Sequence, residues 1–285
     1  MTPLRLAIPN KGRLELPSAA LLRQAGLSYE KTDRALTVPV RNMDVELLFV
    51  RTEDVCELVA DGVATLGITG LDLLSESGTD LGVLAHLGFG RCRLTAAVPD
   101  AAPVGDIEGF DGLRIATSHP LTTERFFEEK GVAITTVPLR GSVEVAPTLD
   151  IADAIVDLVS SGSTMLVNGL RPVATILESE AVLVGPADVL RGEDDLPGQV
   201  ITMFTSVVAA RRKRYLLMNV PASTLGRVEE IIPGFDSPSI VPLASGGMVA
   251  VHSVVDAEDI WSVLPRLKAA GASGILVLPI EQLLP

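Results

Sequence analysis

A short loop after a predicted strand combines the groups that bind phosphate esters. Residues 154–159 are mostly apolar and β-branched, which indicates a buried strand that carries one acid, Asp157. The loop glycine lets the backbone approach an anion, so several N–H groups converge on it while the hydroxyls add donors. Asp157 then lies where a ribose diol or a magnesium ion uses a carboxylate. An ordinary strand-to-helix turn with a threonine cap fits the same residues. The loop consists of Ser160, Ser161, Gly162, Ser163 and Thr164.

Five further polar residues also come just after predicted strands. Three of them have a simpler interpretation: Lys11 as a solvated turn residue, Asp72 as a helix cap, and His119 as a structural histidine. However, ligands of open α/β sheets bind at the carboxyl ends of the strands. The shared placement therefore predicts one cleft that these side chains line together. The five residues are Lys11, Arg51, Asp72, His119 and Glu144.

Alternation of strands and helices indicates an α/β fold. Apolar runs at 4–8, 45–50, 65–69, 114–117 and 134–139 predict strands. Helical spacing follows at 14–24 and 53–60, and again in a segment that ends at Lys130 before Gly131. This order predicts a mostly parallel sheet covered on both faces.

The last part of the chain has a different order. Its elements read strand, helix, strand, strand, helix, strand, which is the ferredoxin-like split motif. The predicted segments are 215–220, 224–231, 239–243, 248–255, 256–269 and 274–280.

Composition limits the class of protein. The chain has 285 residues, 47% of them hydrophobic, so it can bury a substantial core. A formal charge of −13 argues against nonspecific binding to nucleic acid or to an anionic membrane. Two cysteines, Cys56 and Cys92, cannot build a disulfide framework. Neither a signal peptide nor a membrane span is predicted, so we expect a cytoplasmic protein.

Five segments in order carry a family resemblance. Together they resemble ATP phosphoribosyltransferase, the first enzyme of histidine biosynthesis, over essentially the whole chain. The tail resembles the long, self-sufficient form; the short form lacks it and needs a synthetase-like partner. A solute-binding protein and an amino-acid-sensing module remain alternatives, opposed by the phosphate loop and by the complete core that precedes the tail. The segments are 8–14, 66–72, 141–147, 152–164 and 233–239.

The resemblance implies a bilobal, periplasmic-binding-protein-like α/β core followed by a ferredoxin-like βαββαβ regulatory domain. It implies that the chain crosses between lobes near Arg91 and again near Gly185. The expected division is a discontinuous first lobe, a second lobe with the phosphate loop, and a C-terminal domain. These comprise residues 1–90 with 185–211, residues 91–184, and residues 212–285.

The resemblance also implies a reaction. N1 of ATP displaces pyrophosphate from C1 of 5-phosphoribosyl 1-pyrophosphate, with Mg²⁺ required. Asp157 is expected to hold the ribose and the loop 160–164 the 5-phosphate, while Glu144 or Asp157 helps hold magnesium. The expected catalytic residues are Lys11, Asp72, Glu144 and Asp157, and the expected ATP-binding residues are Lys11, Arg51, Asp72 and His119.

For the tail, the resemblance implies feedback inhibition by histidine and assembly of dimers into hexamers, without a synthetase-like subunit. The expected histidine contacts are Asn219, Ser237, Ser239 and Gly274. Three positions depart from the family pattern. Many members have arginine at Ser163, a common tyrosine is His119, and glycine is usual at Asp150.

Overall fold

A computed structural model describes residues 3–31, 35–160, 163–189, 195–232, 237–244 and 246–284; at 163 and 164 it describes the backbone alone. The chain forms two compact units. The first comprises Met1–Arg23 with Leu27–Ile201, and the second comprises Gln24–Gly26 with Thr202–Pro285. The predicted start of the tail at 212 therefore differs from this division, which falls earlier, after Ile201.

The first unit begins with a six-stranded sheet in the order β2-β3-β1-β4-β11-β5. Its central strands β3, β1 and β4 are parallel, and the outer pairs are antiparallel. The strand β4 is buried along its whole length. The first part of the chain forms β1 (Leu4–Pro9), α1 (Glu15–Gln24), β2 (Thr37–Pro39), β3 (Val45–Val50), α2 (Val55–Ala60), β4 (Leu66–Gly70), α3 (Leu71–Ser77) and β5 (Gly82–His86). The sixth strand of the sheet, β11 (Ala181–Gly185), comes later in the chain.

A second sheet in the same unit has five strands in the order β10-β6-β9-β7-β8. Here β9, β7 and β8 are parallel, whereas β6 and β10 pair antiparallel. Apolar clusters cover both faces, one around Phe110 and Phe127 and the other around Ile155 and Met165. The elements of this part are β6 (Cys92–Pro99), β7 (Arg114–Thr117), α4 (Pro120–Glu129), β8 (Thr135–Pro138), β9 (Ala154–Val159), α5 (Ser163–Val167) and β10 (Leu170–Ser179). After β10 the chain returns to the first sheet through β11 (Ala181–Gly185) and continues into α6 (Leu196–Arg211).

Two crossings join the sheets, and one lies elsewhere than predicted. The first lies between the end of β5 at His86 and the start of β6 at Cys92. The second lies at Glu180, because β11 pairs with β4 and β5 in the first sheet. The prediction that residues 181–184 belong with the second lobe was therefore wrong. The expectation of a mostly parallel sheet was also only partly right, because the crossing strands run antiparallel to their neighbours.

The second unit contains the predicted split motif. Its sheet is antiparallel, in the order β13-β14-β12-β15. Leu216, Met218 and Val251 face the helices and are fully buried, which leaves the opposite face of the sheet open. The elements are β12 (Lys213–Pro221), α7 (Leu225–Ile231), β13 (Ser239–Pro242), β14 (Met248–Asp256), α8 (Ile260–Ala269) and β15 (Ser273–Pro279).

Candidate active site

The parallel strands of the first sheet end in polar residues. Pro9 of β1 is opposite Val50 of β3, so Lys11 and Arg51 follow neighbouring strand ends. Both side chains are exposed, and within the described ranges neither forms an ion pair. Asn10, next to Lys11, has a buried side-chain oxygen that accepts no hydrogen bond from the described residues. This edge therefore offers two cations and an unused acceptor.

Asp72, at the start of α3, is the most enclosed acid of this edge, with 1% of its surface exposed. The Arg13 guanidinium donates to both carboxylate oxygens, at 3.0 and 3.1 Å. Ser179, the last residue of β10, donates its hydroxyl to Oδ1, and the Asp72 N–H donates back to Ser179 Oγ at 3.0 Å. A strand of the second sheet thus holds an acid of the first.

The local backbone and charges keep Asp72 ionised. A Cβ on Gly70 would collide with the carboxylate, so the strand end needs glycine for close approach. Burial alone would raise the pKa of Asp72, but contacts with His119, Arg13 and Ser179 bring it below its ordinary value. The structure therefore presents a fixed negative charge between the two sheets.

His119 lies opposite Asp72, at the carboxyl end of β7. The ring is almost fully buried, and its Nε2 lies 3.5 Å from Asp72 Oδ2, without the alignment of a hydrogen bond. The other ring nitrogen, Nδ1, lies 2.9 Å from Ser118 Oγ. The contact between His119 and Asp72 joins the carboxyl edges of the two sheets. Both residues follow strand ends, where ligands of α/β sheets bind.

Glu144 belongs to a one-turn helix, Val143–Val145, after β8. The two described non-glycine residues with positive φ flank this corner: Ser142 at 51° and Asp150 at 55°. Left-handed backbone favours glycine, so Asp150 holds a conformation that glycine adopts with less strain. The Asp150 carbonyl accepts a bond from Arg114 at 3.1 Å.

Asp157 differs from Asp72 in its surroundings. It is half-buried in β9 opposite Thr95, and its Oδ1 accepts the N–H of Leu158 at 2.8 Å. Burial raises the pKa of Asp157; the Leu158 N–H opposes this, the negative charge of Glu144 adds to it, and His119 opposes it. No described cation forms an ion pair with this carboxylate. Within the part of the chain that the structure describes, it is therefore an acid without an ion-pair partner.

The loop after β9 is described in part. Ser160 is exposed, Ser161 and Gly162 lie outside the described residues, and at Ser163 and Thr164 the backbone begins α5. A cavity of about 290 Å³ lies against α1, and another of about 270 Å³ adjoins the loop. The second is lined by residues including Thr95, Val159 and Met165. It opens on the face of the sheet that carries Asp157.

Comparison with known proteins gives matches along the chain. The ATP phosphoribosyltransferase profile (HisG) matches residues 51–206, and the HisG C-terminal domain profile matches 210–282. An ATP phosphoribosyltransferase of Natronomonas pharaonis is 47% identical over 99% of this chain and 100% of its own length. One of Gemmatimonas aurantiaca is 45% identical over the same shares.

The chain belongs to the ATP phosphoribosyltransferase family. The family, the α/β fold class with its small C-terminal sheet, and the enzyme class of pentosyltransferase, which the sequence predicts, are thereby confirmed. A solved structure, the ATP phosphoribosyl transferase (HisG:HisZ) complex from Thermotoga maritima, aligns with a TM-score of 0.63 at 30% identity. The alignment covers 98% of the Thermotoga maritima chain but 72% of this one. This difference and the C-terminal profile match agree with the long form of the family.

In this family member, the residues expected to bind histidine occupy two parts of the tail. Asn219 on β12 and Gly274 on β15 are close together: the Asn219 carbonyl accepts a bond from Ser273 at 3.5 Å, and Gly274 has a φ of 58°. Ser239 lies on β13, opposite His252 of β14. Ser237 precedes that strand. Asn219 and Ser239 share the open face of the sheet, separated by β14.

Three residues that sequence reasoning did not select contribute to the site of this transferase. Arg13 was not among the polar residues selected after predicted strands, although it binds Asp72. Ser179 ends a crossing strand that the sequence analysis did not predict. Glu76 lies one helical turn after Asp72, and this spacing on one face of α3 is the signal that identifies it.

Within the described residues, no group of three or more His, Cys, Asp or Glu side chains is arranged to hold a metal ion. No helix in the same ranges is long and apolar enough to cross a membrane.

Proposed function

We propose that this chain transfers the phosphoribosyl group of 5-phosphoribosyl 1-pyrophosphate to N1 of ATP, releasing pyrophosphate in the first step of histidine biosynthesis. The observation that carries the proposal is the meeting of two strand-end edges, where His119 lies 3.5 Å from Asp72. One edge bears the cations Lys11, Arg13 and Arg51, and the other bears Asp157 and its loop. Two anionic substrates fit such a cleft between two lobes.

Asp157 is proposed to bind the ribose hydroxyls of the donor. Its carboxylate has one short contact, to its own neighbouring N–H, so oxygen lone pairs remain for a diol. The loop 160–164 follows directly and is proposed to donate N–H and hydroxyl groups to the 5-phosphate. Placement on one strand and its loop fixes the sugar relative to the phosphate, which serves a reaction that depends on positioning.

The first-sheet edge is proposed to hold ATP and the departing pyrophosphate. Lys11 and Arg51 are exposed cations that can offset phosphate charge, and Asp72 is held in one place by Arg13 and Ser179. His119 replaces a tyrosine and is proposed to contact ATP from the second sheet. No side chain needs to act as a covalent nucleophile, because N1 of ATP attacks C1 of the sugar.

The acids of the second sheet fit a magnesium requirement. Burial raises the pKa of Asp157, and the negative charge of Glu144 adds to this effect. The two carboxylates therefore act on one region, where a cation is favoured. Mg²⁺ in proteins is often bound by one or two carboxylates together with substrate phosphates. We therefore propose Glu144 and Asp157 as its protein ligands. When bound, the ion neutralises charge on the pyrophosphate.

The tail is proposed to bind L-histidine as a feedback inhibitor through Asn219, Ser237, Ser239 and Gly274. Support comes from the C-terminal profile match and from the proximity of Asn219 and Gly274. We further propose a cytoplasmic homo-oligomer, dimers forming hexamers, that works without a synthetase-like subunit. The domain division into two lobes and a tail remains the proposed frame, with the second crossing moved to Glu180.

One assay tests the reaction. ATP, the phosphoribosyl donor and Mg²⁺ are mixed with the protein and pyrophosphatase, and product is followed by its ultraviolet absorbance. Formation of phosphoribosyl-ATP is expected; a rate equal to the protein-free control would reject the activity. Adding histidine is expected to slow the reaction. An unchanged rate would reject the inhibitory role of the tail and leave the transferase assignment intact.

A further inference from the structure

The first turn of α4 is capped by an acid of helix α3, which follows strand β4 of the first sheet. The helix begins at Pro120, which has no N–H, and the N-cap residue His119 offers no side-chain cap. The two remaining free donors are the N–H groups of Leu121 and Thr122. Glu76 accepts both: Oε1 takes Leu121 at 3.0 Å, and Oε2 takes Thr122 at 2.9 Å. One carboxylate therefore satisfies the whole helix start.

Ser75, beside Glu76 on α3, makes the same junction tighter. Its hydroxyl accepts a bond from Thr122 Oγ1 at 3.2 Å and another from the Arg125 guanidinium at 2.5 Å. Four hydrogen bonds thus join the C-terminal half of α3 to the first turns of α4. A carboxylate at a helix N-terminus also interacts favourably with the helix dipole.

The same helix α3 also contacts His119. Asp72 and Glu76 are four residues apart, so they project from one face of α3. Asp72 faces the His119 ring, while Glu76 binds the helix that starts at His119. The backbone of His119 is fixed as well, since its N–H donates to Thr117 Oγ1 at 2.9 Å and its carbonyl accepts Thr123 Oγ1 at 2.7 Å. The ring position therefore depends on how α3 meets α4.

We propose that Glu76 is a positioning residue: by capping α4 across the two sheets, it holds the His119 ring against Asp72. Its effect on catalysis rests on the proposed function, which assigns His119 to the ATP site. Because the cap needs acceptor oxygens at two backbone donors, a neutral isostere retains part of it, whereas a truncated side chain retains none.

The test compares Glu76→Ala and Glu76→Gln with a matched control, Glu129→Ala. The control removes an exposed acid from the C-terminal end of α4, the helix that Glu76 caps. The ring signal of His119 is recorded with carbon-13-labelled histidine at fixed pH. The chain has three histidines, so single His→Gln variants assign the signals. Amide hydrogen exchange of residues 118–126 and steady-state kinetics with both substrates complete the set.

We expect Glu76→Ala to move the His119 signal, to speed exchange at Leu121 and Thr122, and to lower kcat/KM about tenfold. For Glu76→Gln we expect a kcat/KM within about threefold of the parental value. For Glu129→Ala we expect the parental kcat/KM. An unmoved His119 signal in folded Glu76→Ala overturns the proposal, as does Glu76→Gln that behaves like Glu76→Ala. A moved signal with parental kcat/KM supports the positioning role and instead rejects His119 as an ATP contact. If Glu76→Ala does not fold, the same readouts on Glu76→Gln decide, with a partial shift expected.

Discussion

Asp72 and Asp157 are two acids of one cleft with opposite surroundings. Asp72 is fully buried and bound by Arg13 and Ser179, and its pKa lies below the ordinary value. Asp157 is half-buried, and its pKa lies above the ordinary value because of burial and the negative charge of Glu144. The first acid has its partners within the protein. The second forms no ion pair with a described residue and retains oxygen atoms that can accept bonds from a ligand.

The difference separates structural from ligand-binding roles. A buried carboxylate with satisfied bonds stabilises the fold around it, and removing one partner is costly. A carboxylate held near a like charge destabilises the protein, and such sites are often functional. We therefore expect substitutions at Asp72 to lower both stability and activity, and substitutions at Asp157 to lower substrate binding while leaving stability intact.

The largest effect is expected for Asp72→Asn. The amide leaves the Arg13 charge unpaired and cannot accept at both oxygens, so the free energy of unfolding should fall by about 2–3 kcal/mol. We also expect kcat/KM to fall by about 100-fold, because the edge that holds ATP loses its fixed charge. Urea unfolding and steady-state kinetics measure the two losses. Asp61→Asn, at an exposed acid, is the control.

The pH dependence of that variant follows from the lowered pKa of Asp72. Its ionised form stabilises the fold at pH above the ordinary carboxyl pKa, and this contribution is lost as pH falls through the folded value. The parent should therefore exceed Asp72→Asn most near neutral pH, and the two unfolding free energies should converge in acid. A constant gap at all pH values would contradict the ionic role.

Asp157→Asn should separate binding from stability. We expect KM for the phosphoribosyl donor to rise by at least about tenfold, because the neutral amide binds a ribose diol and a metal ion less well. The unfolding free energy should stay within about 0.5 kcal/mol of the parent. The matched control is Asp153→Asn. Asp153 is an exposed acid just before β9, and it pairs with Arg114 at 2.9 Å. Its donor KM should be unchanged, and a collapse of stability in Asp157→Asn would make that residue structural.

Ser179→Ala tests how far Asp72 depends on the crossing strand. The variant removes one donor to Oδ1 and the acceptor of the Asp72 N–H, so we expect a loss of about 1–2 kcal/mol. Activity should fall less than in Asp72→Asn, by about fivefold. Ser206→Ala, at a buried helix serine that bonds its own helix, controls for hydroxyl loss. Parental stability in Ser179→Ala would leave Arg13 as the main support of Asp72.

Sequence reasoning found the acids but not their partners. Strand ends are local features, so periodicity placed Asp72, His119 and Asp157 correctly at carboxyl edges. The strands β6 and β10 were not predicted. They pair antiparallel with segments far along the chain, and they do not follow the regular alternation of strand and helix. Ser179 and Glu76 act through those long-range contacts, 107 and 46 residues away. Local patterns therefore could not reveal Ser179, and for Glu76 they offered only its four-residue spacing from Asp72 on α3.

Asp150→Gly asks whether another acid contributes to the field at Asp157. Position 150 has a φ of 55°, where glycine is less strained, so we expect stability to change by about +0.5 kcal/mol. The Asp150 charge acts on Arg114, and the charges that shift the pKa of Asp157 are those of Glu144 and His119. The donor KM should therefore stay at the parental value, as thermal unfolding and kinetics together would show. A lowered KM would mean that the Asp150 carboxylate also opposes substrate binding.

The smallest expected effect is the pH profile of Asp157→Asn, opposite in sign to that of Asp72→Asn. The raised pKa means that the protonated acid is favoured in the folded protein, so this favourable contribution is complete below the ordinary carboxyl pKa. It is lost as pH rises through the folded value. The parent should thus lose stability relative to Asp157→Asn as pH rises from about 3 to 7, by about 0.5 kcal/mol or less. Urea titrations at several pH values measure the difference. If both aspartate variants gave profiles of the same sign, the division between a satisfied acid and an unsatisfied one would fail.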